Sequence, residues 1–163
     1  MQILAQTRGH NLYGRTKPPP RVKFFAWLLS QERIQCKTVL KKKHIVESTV
    51  CEVCQAEETP AHIIFGCPST KQFWEVLQIQ KDANWPLQAL REFPSPPHFP
   101  AKYFTTFLLL CCWHIWKRRN NITFRNDWTT LNATLVARET EAYLWGLNCH
   151  EMIGPLLHHC SLQ

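Results

Sequence analysis

Cys51-Glu-Val-Cys54-Gln-Ala-Glu-Glu-Thr-Pro-Ala-His62-Ile-Ile-Phe-Gly-Cys67 reads C-x2-C-x7-H-x4-C, four soft or borderline metal ligands within seventeen residues. Two cysteines two residues apart let one tight turn aim both sulfurs at a single ion. A histidine and a third cysteine a few residues on complete a tetrahedron, the arrangement that structural zinc prefers. All four positions come from protein, which leaves no open position for a catalytic water. The stretch therefore predicts a closed, structural Zn2+ site held by Cys51, Cys54, His62 and Cys67. Two alternatives stand beside it: a redox pair and ordinary buried thiols. A redox C-x-x-C needs neither the third cysteine nor the histidine, and it usually opens a helix after a strand. Here Cys54 runs into the polar stretch Gln55 to Glu58.

The residues before this segment are basic. Residues 1–50 carry ten Lys or Arg and two acids, whereas residues 51–163 carry nine and ten, so the whole net charge of +7 lies ahead of the first ligand. Lys41-Lys-Lys43 is its densest point. Such an arm attracts polyanions through phosphate contacts and counterion release, without reading sequence. The competing reading is that these charges only solvate the outer faces of helices.

Helical signals surround the ligands. Pro18-Pro-Pro20 can open a helix, because proline suits the first helical position; Val22, Phe25, Ala26 and Leu29 then recur at helical spacing up to about Ile34. A second short helix is predicted from about Thr38 to His44, with Val39 and Leu40 inward and the three lysines outward. Thr59-Pro60 reads as an N-cap followed by proline, so His62 belongs to a short helical turn. Ser69 with Gln72 three residues on is a capping-box signal for the next helix, whose apolar face is Phe73, Val76 and Leu77. Pro86, Pro94, Pro96, Pro97 and Pro100 mark a linker or irregular crossover. Long helices are predicted from about Ala101 to Arg119 and from about Trp128 to Leu147.

The predicted fold class is mainly α: a small helical zinc-binding domain, then a proline-rich linker, then one or two long helices. The expected divisions are an irregular lead-in over 1–17, the zinc domain over 18–80, the linker over 81–100, a helical region over 101–147 and a disordered tail over 148–163. The greasy run from Tyr103 to Trp116 contains Thr105, Thr106 and His114 and is too short to span a bilayer. No basic start precedes an apolar run, so export is not expected, and the nucleus or cytoplasm is. In such a compartment cysteines favour metal over disulfide.

Pro20-Arg-Val-Lys-Phe-Phe-Ala-Trp-Leu-Leu29, the four ligands, Cys67-Pro68 and Phe73-Trp74 together resemble the zinc-binding domain of plant LINE-type (non-LTR) retrotransposon reverse transcriptases. Trp113-His-Ile-Trp116-Lys-Arg-Arg119-Asn120, followed by Phe124, is similar to the helix that leads from that domain toward ribonuclease H. The likeness covers about residues 18–125. It implies zinc on the same four residues and a region that helps hold template RNA or target DNA. It also implies a truncated or element-derived fragment, since neither paired polymerase aspartates nor a strand-borne set of carboxylates is present; Asp127, Glu139, Glu141 and Glu151 fall in or beside helical patterns. The function expected is thus a non-catalytic, zinc-stabilised module with no small-molecule substrate and no membrane. RNA or DNA would be bound without sequence preference through Arg21, Lys23, Lys37, Lys41, Lys42 and Lys43, with Lys117, Arg118 and Arg119 as a second patch. The alternative is a protein-interaction or regulatory module that docks a partner on Trp27, Phe73 and Trp74.

Overall fold

A computed structural model describes residues 18–79 and 85–144. The predicted lead-in over 1–17 and tail over 148–163 lie outside the described residues. The expectation of a mainly α fold holds: α1 (Pro20–Ser30), α2 (Lys37–Lys42), a π-helical turn (His62–Gly66), α3 (Pro68–Val76), a 3-10 turn (Leu87–Glu92), α4 (Ala101–Arg125) and α5 (Leu131–Leu144) follow in order. The extended backbone among the described residues is a single antiparallel bridge between Val50 and Glu57.

The helix starts follow local chemistry, with one exception. Pro20 occupies the first position of α1, where a missing N–H costs nothing. Thr59 Oγ1 accepts the backbone N–H of His62 at 3.1 Å, so the threonine cap forms as its sequence context predicts. The capping box at Ser69 does not form. α3 begins one residue earlier, at Pro68, with Cys67 as its cap residue. Ser69 Oγ is instead taken by Arg118 Nη1 at 2.7 Å, a tertiary partner that outbids a local one. α4 runs past Arg119 to Arg125 and stops where Asn126 turns left-handed, at φ 52°, a conformation asparagine tolerates. α5 begins at Leu131 rather than Trp128, because Thr130 Oγ1 accepts the N–H of Ala133 at 3.1 Å and so serves as the cap.

Aromatic packing ties these elements into one core. Phe25 of α1 meets Trp113 and Trp116 of α4 at ring-centroid distances of 5.3 and 5.4 Å. Phe65 of the π-helical turn lies 5.6 Å from Trp74 of α3 and 6.0 Å from Phe93. Phe99 packs on Phe107 of α4 at 4.6 Å. The proline-rich stretch is therefore more than a spacer over its described part: Leu87, Leu90, Phe93 and Phe99 are all buried in the common cluster. Its prolines stop regular helix, but its apolar residues still lose water by packing. The greasy run of α4 is buried in the same cluster, and among the described residues no helix is long and apolar enough to cross a membrane.

Candidate metal centre

Cys51 and Cys54 stand on a two-stranded knuckle. The N–H of Cys51 reaches Ala56 O at 2.8 Å and that of Glu58 reaches Thr49 O at 2.8 Å, which closes the hairpin. Gln55 sits at its tip with φ 63°, and its N–H returns to Cys51 O at 3.0 Å. The N–H of Val53 points at Cys51 Sγ, 3.4 Å away, and so stabilises negative charge on that sulfur. The other two ligands come from the π-helical turn and its exit. His62 opens the turn, and the N–H of Cys67 bonds His62 O at 2.8 Å. Gly66 makes room for the imidazole, since a Cβ there would sit 3.3 Å from His62 Nδ1.

The π-turn is held by its neighbour, α3. Thr70 Oγ1 donates to Ile63 O at 3.0 Å, and Trp74 Nε1 donates to Ile64 O at 2.8 Å. These bonds satisfy carbonyls that the wide turn leaves without ordinary helical partners. Ile63, Ile64 and Phe65 meanwhile point into the core. One face of five residues thus anchors the loop, and the opposite face presents the ligands.

The structure brings Cys51, Cys54, His62 and Cys67 together: one ligand atom from each lies within 4.8 Å of all the others. Cys54 Sγ is 3.3 Å from His62 Nε2 and 4.0 Å from Cys67 Sγ. A tetrahedron with Zn–S near 2.3 Å and Zn–N near 2.0–2.1 Å separates its corners by about 3.5–3.8 Å. The cluster has the size and the soft donor set that zinc requires. Cys51 and Cys67 share one proton. Cys51 is pulled down to about 3, first by the hydrogen bond from Cys67, with His62 and the Val53 and Cys54 N–H groups helping against burial. Cys67 is pushed up because it keeps the shared proton. A divalent ion would displace that proton and leave both sulfurs as thiolates.

The basic residues divide into two groups. Lys41, Lys42, Lys43 and Lys23 are on the surface, and Arg21 keeps a side chain that is 66% exposed while its Nη2 pairs with Glu141 at 3.1 Å. Lys117 is also partly open. Lys37 and Arg119 are not available, contrary to expectation. Lys37 is buried, with Nζ 2.7 Å from Val50 O and 2.5 Å from Glu52 Oε1. Arg119 is buried against Glu58, with Nε 3.1 Å from Oε2 and a second, closer bond from Nη2 to Oε1, and its Nη1 also reaches Gln35 O at 2.9 Å. Arg118 is half-buried between Thr129 O and Ser69. Of the three aromatics proposed for docking, Phe73 and Trp74 are fully inside the core and Trp27 remains outside.

Glu58 is the residue that sequence reasoning missed. It lies in the polar run after Cys54, yet it is 1% exposed. Besides Arg119 it accepts the backbone N–H of Lys37 at 2.8 Å, so one carboxylate fastens the metal loop to both α2 and α4. No local pattern marks it, because its partner lies 61 residues away.

Fold and centre together define a small helical unit built around a Cys/Cys/His/Cys knuckle. A family model described as zinc-binding in reverse transcriptase matches residues 3–74. Over 65 residues the chain is 29% identical to a protein of Arabidopsis thaliana whose name describes it as a ribonuclease H protein. That stretch is 39% of this chain and 10% of the relative, so the chain spans about a tenth of the length of the curated relative it matches. No solved structure matches it.

Proposed function

We propose that the chain is a non-catalytic, zinc-stabilised module related to the zinc-binding region of plant LINE-type reverse transcriptases, and that it holds RNA or DNA without reading sequence. The observation that carries this reading is the four-ligand cluster within 4.8 Å, inside a segment that matches a reverse-transcriptase zinc-binding family. Zinc on Cys51, Cys54, His62 and Cys67 would fix the knuckle, and the hydrogen bonds of Glu58 would then fix α2 beside it. α2 ends in Lys41-Lys-Lys43, all exposed, so the metal loop supports a mobile-stemmed but well-anchored cationic surface. Phosphate binding by such point charges is sequence-independent and strongly dependent on salt. The compartment consistent with this activity is the nucleus or cytoplasm.

Two measurements test the proposal. Elemental analysis of freshly purified, reduced protein should find about one zinc per chain, and Cys54→Ser should lose it. Affinity for RNA and DNA should fall steeply between low and moderate salt, and replacing Lys41, Lys42 and Lys43 with Gln should flatten that slope by about 3 in log–log terms. Metal-free protein, or no binding at low salt, overturns it. A protein-docking module is the alternative, and for that role Trp27 is the one of the three named aromatics that stays on the surface.

A further inference from the structure

α1 buries Val22, Phe25, Ala26 and Leu29 and turns an unusual opposite face to solvent. Phe24 is 60% exposed and Trp27 is 49% exposed, although each would gain about 1.5–3 kcal/mol from burial. They are not two scattered apolar residues. Their rings stack on one another, with centroids 5.9 Å apart and planes 25° from parallel. Three positions apart on a helix, they form one continuous π-surface. Its surroundings are cationic: Arg21 lies three residues before Phe24 and Lys23 four before Trp27, and no acid occurs from residue 18 to 31. Arg21 keeps a side chain that is 66% exposed at the same end of the helix, with its Nη2 paired to Glu141 at 3.1 Å, so the Lys23 side of the platform carries the net positive charge.

An exposed aromatic platform bordered by cations has a definite chemical complement. Bases offer flat π-faces of any sequence, and the phosphates between them offer the negative charge; this combination binds single strands. A duplex hides its base faces within the stack and offers mainly phosphates. A purely acidic protein segment would use only the cations, and a purely apolar one only the rings. Charge complementarity therefore favours nucleic acid over an apolar partner.

We infer that Phe24 and Trp27 form a stacking platform for unpaired bases, so that this chain prefers single-stranded RNA or DNA over duplex. The inference rests on the nucleic-acid reading above and adds to it the form of the ligand and the residues that choose it. Lys41 to Lys43 supply attraction common to both forms, whereas the α1 face discriminates between them.

The experiment uses the full zinc-loaded chain, a 20-nucleotide oligo(U) and a 20-base-pair duplex at one fixed salt concentration. The Phe24→Leu/Trp27→Leu double variant keeps apolar bulk on an exposed face, and unchanged zinc content and circular dichroism will show that it folds. Stacking on aromatic side chains changes affinity by about 5- to 150-fold per base. We expect the double variant to lose roughly that factor on oligo(U) and less than about 2-fold on duplex. Oligo(U) should quench the tryptophan fluorescence of the wild type, and that quenching should shrink in Trp27→Leu alone. Equal losses on both ligands, or none on oligo(U), overturn the inference. If at the same time the Lys41–Lys43 variant still weakens both ligands, the nucleic-acid reading stands without it. Wild type that binds neither ligand overturns both. A double variant whose chief change is lost self-association, read by light scattering, assigns the face to a second copy of this chain and also overturns the inference.

Discussion

The metal loop and the aromatic helical core are held by different forces. From about residue 48 to 58 the chain has one bridge, a positive-φ tip and mostly exposed side chains. One buried carboxylate, Glu58, ties it to α2 and α4, and its Cys51 and Cys54 join His62 and Cys67 in a cluster that could hold an ion. The core, by contrast, links α1, α3, the 3-10 turn and α4 through rings that touch in series, such as Phe65, Phe93, Phe104 and Phe99. Apolar burial accumulates with area, whereas a short polar loop has little area to bury. The comparison shows that one small unit can hold two regions of very different autonomy.

Removing zinc should separate them most sharply. Structural zinc contributes on the order of 10–16 kcal/mol in small zinc peptides, and there it is folding energy. With a strong chelator, or in Cys54→Ser, hydrogen exchange should accelerate across residues 48–58 while Phe24–Leu29 and Phe104–Trp116 stay protected. Equal protection of 48–58 with and without metal would make the ion incidental.

The joint between the two regions comes next. Glu58 and Arg119 are 1% and 9% exposed, so removing one partner strands a buried charge. Arg119→Ala should cost about 3–5 kcal/mol in denaturant unfolding, and the pairing Glu58→Leu/Arg119→Met should recover a large part of it. If the double variant is as unstable as the two single losses added, the residues do not act as a pair.

A smaller effect belongs to the core alone. His114 of α4 is buried, with Nε2 2.8 Å from Glu141 Oε2 and with Lys117 and Arg138 also facing it. Burial, then the Lys117 charge, lowers its pKa from 6.5 to about 4 despite the pull of Glu141 in the other direction. Below pH 6.5 the unfolded chain takes up a proton that the folded chain refuses. The stabilisation is thus complete above about 6.5 and declines as the pH falls toward 4, by up to about 3 kcal/mol. Urea unfolding from pH 7 to 4.5 should show this decline in wild type and a flatter one in His114→Gln. Parallel curves for the two proteins would show that His114 does not carry it.

The smallest stability effect should come from the surface. Replacing Lys41, Lys42 and Lys43 with Gln should change unfolding free energy by no more than about 0.5 kcal/mol per substitution. A large loss of stability would mean that these lysines, like Lys37, are structural.

The sequence read some parts well for identifiable reasons. Ligand spacing, the Thr59 cap and the apolar period of α1 are local patterns, and the structure brings the four ligands to one point and forms the cap and the helix. Charged residues were less legible, since a lysine that faces water and one that pairs internally look alike in sequence. Lys37 and Arg119 were expected on a binding surface and lie buried, while Lys41 to Lys43 stay exposed a few residues from Lys37. Ser69 likewise carries a valid capping signal that a distant arginine overrides.

By itself, then, the sequence determined the helical class, the four Cys and His side chains that come together and the basic bias ahead of them. These depend on spacing, capping and composition, which act within a few residues. Only the tertiary structure decided that Glu58 would fasten the metal loop to α4, that the proline-rich stretch would join the core, and that Phe24 and Trp27 would be left outside it. Each of those outcomes turns on which distant side chain arrives nearby, and burial, unlike helical period, is a property of the assembled chain.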